Sequence, residues 1–355
     1  MFLRDAKVEG AVRLLGAKIS GGLECDGAYL SNPGGYALDA DRLNATSVFL
    51  RNNAKFEGAV RLLGAQISGQ LDLGHAQVKA VVNLRGAKIS GDLDCDGAHL
   101  DNSDGYALFG SDCRVGGTLF FRLAKPAVGK IDLSSAQVVG PLVDNLDSWP
   151  TTLNLRGFSY RSLGGDDTDP SQRLEWLGRS EPFSPDVYTQ LAEVYRKTGH
   201  EGYARQVAIE REKERACQPE LSWWEKAWRR FLGITVAYGY EPGRALAFFV
   251  VLLAIGWLMF AQPPAKRAMI PARHHIEAPD SAAEACQNYP CFSPLVYTLD
   301  ALVPIIDFHQ ETYWVPASNK PWGRVNLGLT TALILAGWLL ITAIVAGIAS
   351  LWRRE

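Results

Sequence analysis

Cys286 and Cys291, in CQNYPC, are the residues of this 355-residue chain best spaced for chemistry. Two cysteines so close in an extracytoplasmic loop read as a disulfide. Reduced thiols, or a metal site completed by His274, His275 or His309, are the other readings of the same spacing. Downstream, YTLDALVPIIDF carries Asp300 and Asp307, carboxylates that would favour cations if this segment lined a pore. Cys113 and Cys217 are unpaired and give the only residue-level motive for a redox activity. Cys25 and Cys95 read as small buried hydrophobes, too far apart for a disulfide. There is no G-x-G-x-x-G after a strand, no C-x-x-C and no nucleotide-phosphate loop. No catalytic residue, no metal and no cofactor is therefore expected.

The elements around these residues fall into three zones. Residues 1–160 are Gly-rich and repetitive, 170–232 charged and helix-like, and 244–352 contain two long apolar runs. In the first zone apolar residues come in pairs: Val60/Leu62, Ala65/Ile67, Leu71/Leu73, Ala76/Val78. The same pairs return 22 residues later as Val82/Leu84, Ala87/Ile89, Leu93/Cys95 and Ala98/Leu100. Spacing by two within a pair is strand-like, and no helical template fits. Four short sides with a corner after each make one coil, so residues 1–160 predict a β-solenoid of about seven coils. Gly64, Gly69, Gly86 and Gly91 are expected to supply flexibility at corners. With its pairs and its five-residue step at Leu38, Leu43 and Val48, this zone resembles the pentapeptide-repeat family, which implies a right-handed quadrilateral β-helix. The six-residue steps elsewhere depart from that family's pattern.

A longer repeat overlies the coils. GAKISGGLECDGAYLSNPGGYAL at 16–38 recurs as GAKISGDLDCDGAHLDNSDGYAL at 86–108, so loops containing Asn32 and Asn102 should leave the solenoid at one corner, as paired docking loops or as inherited bulges. Residues 1–160 hold 17 Asp/Glu against 16 Lys/Arg, and the whole chain has a formal net charge of −2. That balance argues against a DNA mimic and against nucleic acid as a partner. The first residues already match the repeat, so a fragment, a mis-started chain or a first coil covered by a partner is expected.

Residues 161–219 read as a helical hairpin. Tyr188, Leu191, Ala192 and Tyr195 stripe one helix, and Tyr203, Ala204, Val207 and Ala208 the next. The layout resembles a single tetratricopeptide-like hairpin, which would cap the solenoid or bind a partner. Residues 220–240 read as an interfacial amphipathic helix, with Trp223, Trp224, Trp228, Arg229 and Arg230 at a lipid surface. Residues 244–262 and 325–352 read as two transmembrane helices, with Ala332/Ala336 and Ala343/Gly347 permitting close helix contact. Between them, 263–323 form an extracytoplasmic loop, with an interfacial or re-entrant helix at 293–308 whose Leu295, Leu299, Leu302 and Ile306 share a face.

The fold class is thus multidomain, mainly β plus α. Solenoid, hairpin, two spans and YTLDALVPIIDF together resemble a group of bacterial membrane proteins, some labelled membrane-associated oxidoreductase, an activity that no motif here supports. Six basic residues near the proposed cytoplasmic ends against five in the loop barely orient the spans. The expected protein is a multi-pass protein of the bacterial inner membrane with its solenoid in the cytoplasm, acting as a scaffold for protein interaction. The alternatives are an ion channel or transporter subunit using 291–316, or an oxidoreductase by family label alone. Membrane lipids, an unknown protein and homo-oligomers are the expected partners.

Overall fold

The computed structural model describes residues 1–165, 169–241, 243–272, 290–303 and 305–352. They form two compact units, Met1–Arg215 and Ala216–Glu355.

The first unit is a β-solenoid of about seven turns followed by helices. Its short strands pair in parallel within two sheets. Val82 pairs with Val60, Ile89 with Ile67, Leu93 with Leu71 and Leu100 with Val78, so identical or similar apolar side chains stack from turn to turn. All eight are buried. The turn that carries Asn32 is longer. Ser31 faces Glu57, while Leu38 faces Val60, and the extra residues bulge out between Ser31 and Tyr36. The equivalent bulge lies between Asp101 and Tyr106. Lys18 pairs with Asn44, Asn44 with Gln66 and Gln66 with Lys88, which accounts for the 70-residue repeat as one long step and two short ones.

The corners are tight turns. Ala65 N–H donates to Leu62 C=O at 3.1 Å and Ala87 N–H to Leu84 C=O at 2.9 Å. The third residue of each turn is left-handed, Gly64 and Gly86 both at φ 63°, a conformation in which glycine carries no steric penalty. His75 and Arg42 hold corners of the same hand at φ 59° and 55°. Gly69 and Gly91 are not of this kind, which corrects the expectation for them. They belong to a column, Gly69–Gly91–Gly117–Gly140, in which Gly91, Gly117 and Gly140 each donate their N–H to the C=O of the glycine one turn back at 2.8–3.0 Å, and Gly69 donates to Thr46 C=O. A Cβ on Gly91 would lie 2.9 Å from the carbonyl carbon of Gly69, and one on Gly140 2.3 Å from the oxygen of Gly117. Close approach of neighbouring backbones, rather than torsional freedom, is what demands glycine here.

Helices α1 (Pro170–Gly178), α2 (Pro185–Lys197) and α3 (Glu201–Cys217) follow. Trp176, Leu177, Val187, Tyr188, Leu191 and Tyr195 join the same apolar core as the solenoid interior. Arg173 on α1 grips Asp144 of the solenoid through two hydrogen bonds of 2.8 and 2.7 Å, and Trp149 Nε1 donates to the same carboxylate at 2.7 Å. Both charged side chains are fully buried, so loss of either partner would strand a charge. The helices therefore close this end of the core.

The second unit contains α4 (Trp223–Val236), α5 (Gly243–Ala261), the single turn α6 (Pro263–Lys266), α7 (Pro294–Leu302), the single turn α8 (Gln310–Tyr313) and α9 (Pro321–Trp352). A two-stranded antiparallel pairing joins Met269–Pro271 to Trp314–Pro316. Helices α5 and α9 are long and apolar enough to cross a membrane, with mean hydropathies of 2.2 and 2.1. Little of either apolar stretch is buried, 17% in α5 and 28% in α9.

Gly91→Ala should destabilise the chain by about 1–3 kcal/mol, because the new methyl meets backbone that cannot retreat. Gly21→Ala, where a Cβ meets nothing within 4 Å, should leave stability unchanged. Thermal melts of both variants followed by far-ultraviolet circular dichroism check the pair.

Candidate functional site

On the solenoid, the expected docking residues are occupied within their own loops. Asn32 Nδ2 donates to Tyr36 C=O at 2.9 Å, and Asn102 Nδ2 to Tyr106 C=O at 2.7 Å. Each amide fixes the shape of its bulge. The bulges rest on Gly58 and Gly129 of the following turn, where a Cβ would strike the carbonyl oxygens of Asn32 and Asn102 at 2.5 and 2.3 Å. What the two bulges present outward is Tyr36 and Tyr106, each roughly two-fifths exposed. Tyr36 lies under the Arg61 guanidinium at 4.5 Å, whereas Tyr106 stacks on Phe109 at 5.0 Å. The twin loops thus offer different surfaces.

Ion pairs run between neighbouring turns. Arg51 reaches Asp26 at 3.2 Å on one side and Asp72 at 3.0 Å on the other. Glu57 accepts from Tyr29 Oη at 2.7 Å, Lys79 Nζ at 3.0 Å and Ser31 Oγ at 3.1 Å, and these bonds hold its carboxyl down to about 2. Such exposed pairs add register more than stability. A surface groove of about 400 Å³ is lined by Asn53, His75, Gln77, Gly97, His99, Ala124 and Lys125. Among the described residues no three His, Cys, Asp or Glu side chains are grouped to hold a metal ion.

The solenoid cysteines are inert by position. Cys25, Cys95 and Cys113 are buried and free. Burial first, then Asp26, pushes the Cys25 thiol up to about 12; burial and then Asp112 does the same for Cys113; and burial raises Cys95. Only a thiolate is nucleophilic, so these three positions do not support thiol chemistry. Cys217 is exposed and free. Cys291 is disulfide-bonded, while Cys286, His274 and His275 lie outside the described residues.

In the second unit, Ser222 and Glu225 form a reciprocal capping box that starts α4, a signal the sequence carries as S-x-x-E. Trp223 and Trp224 stack at 4.4 Å and are 70% and 68% exposed, and Trp228 stacks on Phe231 at 5.4 Å. Arg230 is exposed and Arg229 half-buried. The other end of α4 is anchored, since Phe231, Leu232 and Val236 pack with Ala245 of α5 and Ala343 and Ile344 of α9. So α4 sits at the end of the helix pair opposite α6.

Helix α7 packs between α5 and α9. Its buried residues are Tyr297, Thr298, Asp300, Ala301 and Leu302, so of the Leu295/Leu299/Leu302/Ile306 face that the spacing suggests only Leu302 is buried. The helix ends at Leu302, and Ile306 lies in the following turn. Two glycines admit it. A Cβ on Gly256 of α5 would lie 2.3 Å from Thr298 Cγ2, and one on Gly337 of α9 would lie 2.2 Å from the carbonyl oxygen of Leu302. Gly337 thus makes the close contact within this bundle, whereas Ala332 is exposed. Tyr297 Oη is 3.3 Å from Thr330 Oγ1, so α7 runs in the same direction as α9.

The two aspartates differ sharply. Asp300 is buried, and its carboxylate accepts from Phe308 N–H at 2.8 Å and Glu311 N–H at 2.9 Å, pinning the chain as it turns back along α7. It serves the fold. Asp307 is exposed and accepts from His309 N–H at 2.7 Å. Comparison of the chain with protein-family models, with curated proteins and with solved structures returns no match.

Cysteine alkylation of the native chain at mildly alkaline pH, mapped by mass spectrometry, should modify Cys217 and leave Cys25, Cys95 and Cys113 untouched until the protein is unfolded. Rapid native labelling of any of those three would contradict their assigned burial.

Proposed function

We propose that this chain is an integral membrane scaffold. Its solenoid, read as a right-handed, four-sided coil of pentapeptide-repeat type, presents a stiff ladder of paired charges and two dissimilar tyrosine bulges to a protein partner. Its helices α5 and α9 hold it in a bacterial inner membrane, with the solenoid on the cytoplasmic side. The observation that supports this reading most is the outward apolar surface of the helices. Leu246, Val250, Val251 and Leu258 on α5 and Leu335 and Val345 on α9 are each 54–64% exposed, a belt of hydrocarbon that water does not tolerate on a soluble protein. Exposed Trp223 and Trp224 beside Lys226, Arg229 and Arg230 suit a headgroup layer at one end of that belt. A second reading, a channel subunit, draws on the single observation that a helix too short to cross lies between the two that can.

Membranes from cells expressing the chain should retain it through high salt and alkaline carbonate and release it only into detergent. Release by carbonate would place the apolar belt against protein instead of lipid and end this reading.

A further inference from the structure

The groove of about 400 Å³ on the solenoid is shaped by one corner repeated through successive turns. Asn53, His75 and Gly97 hold the same left-handed position there, at φ 60°, 59° and 67°. Gly97 is the step that opens the corner: a Cβ on it would collide with the His75 imidazole, which fills that space instead. Beside the corner, Lys55, Gln77 and His99 are register partners on consecutive turns, each about 4.8 Å from the next. In the following turn Ala124 N–H donates to Ala98 C=O at 3.1 Å, which sets Lys125 at the groove's edge.

The charges here differ from those on the rest of the solenoid. Elsewhere Arg51 answers Asp26 and Asp72, and Lys79 answers Glu57. The groove is lined by one ammonium, two imidazoles and two amides, with no carboxylate among them. Among the described residues the side chains of Asn53, His75, Gln77, His99 and Lys125 form no hydrogen bond or ion pair. The nearest carboxylates are already engaged. Asp96, next to Gly97, is held by Arg122 Nε at 3.0 and 3.2 Å, Glu57 by Lys79 at 3.0 Å, and Asp101, two residues beyond His99, acts on Lys79. Lys55 is exposed and adds a further positive charge beside Gln77. Donors and cations gathered without a counter-charge select an anion, and the volume suits a small molecule.

We infer that this groove binds a small, water-soluble molecule through a tetrahedral oxyanion, a sulfate or phosphate group held by His75, His99 and Lys125, with the Asn53 and Gln77 amides meeting the rest of the ligand. The groove lies wholly within the solenoid, so the site stands apart from the membrane reading. Imidazoles take up protons between about pH 8 and pH 5, so binding should tighten as pH falls. Sulfate keeps its charge over that range and is the probe. The full chain in detergent, carrying carbon-13 at histidine Cε1, is titrated with sodium sulfate at about pH 7.5 and about pH 5.5, against sodium chloride of equal ionic strength. The His75 and His99 signals should move saturably with sulfate, with about tenfold tighter binding at the lower pH, while His200 follows the chloride blank. Lys125→Met, in an exposed loop, should weaken binding about threefold at both pH values. His75→Asn, which keeps a residue tolerant of the left-handed corner, should cut the gain read at His99 to about threefold. At the higher pH glycerol phosphate should bind more tightly than sulfate, and short-chain phosphatidylglycerol should not; preference for that lipid would contradict a soluble ligand. Shifts no larger with sulfate than with chloride, equal affinity at both pH values, or unchanged binding in Lys125→Met and His75→Asn would each overturn the inference.

Discussion

The constraint on which the solenoid depends is the distance between one turn and the next. Backbone N–H groups reach the carbonyls of the neighbouring turn at 2.7–3.1 Å along most of the corner-to-corner path. Strands of two residues, such as Leu71–Asp72 and Val82–Asn83, have no stability alone. They exist because each is paired on both sides and roofed by a buried apolar residue. The glycine column at 69, 91, 117 and 140 marks where that spacing leaves no room for any side chain. The left-handed corners mark where it demands a fixed change of direction. The helices after the solenoid close the stack through Arg173, Asp144 and Trp149, an end-piece built from a buried ion pair and the tilted indole pair of Trp149 and Trp176.

In the second unit the governing constraint is different. Helices α5 and α9 expose apolar side chains over most of their surface, and what organises their buried faces is the inserted α7. Two glycines set back the helix surfaces, Thr298 and the Leu302 carbonyl fill the space, and Asp300 turns the chain around. A carboxylate that spacing alone marks as a pore candidate is thereby fully used in holding two backbone N–H groups. The neighbouring Asp307 is the one left facing outward.

The repeat was legible because a stacked ladder imposes identical residue types at a fixed offset, and Val60/Val82 and Ile67/Ile89 read directly as neighbours. The two kinds of glycine were not separable, because sequence shows that a position needs glycine without showing whether torsion or contact is the cause. Helix α1 escaped notice because its buried face is Arg173, Trp176 and Leu177, a pattern that becomes apolar only once Asp144 neutralises the arginine. The roles of Asn32 and Asn102 were hidden because a loop that repeats looks the same whether it binds a partner or its own backbone. The buried face of α7 differs from the leucine spacing because a helix seated on glycines buries Tyr297, Thr298 and Ala301, while Leu295 stays exposed and Leu299 half-buried.

Hydrogen–deuterium exchange on the intact chain tests the stacked-turn account most directly. The amides of Leu62, Leu73, Leu84 and Cys95, each donated to an adjoining turn, should be among the slowest to exchange, while the bulge tips at Gly34 and Asp104 exchange early. Exchange of Leu62, Leu73, Leu84 and Cys95 as fast as the tips would contradict it.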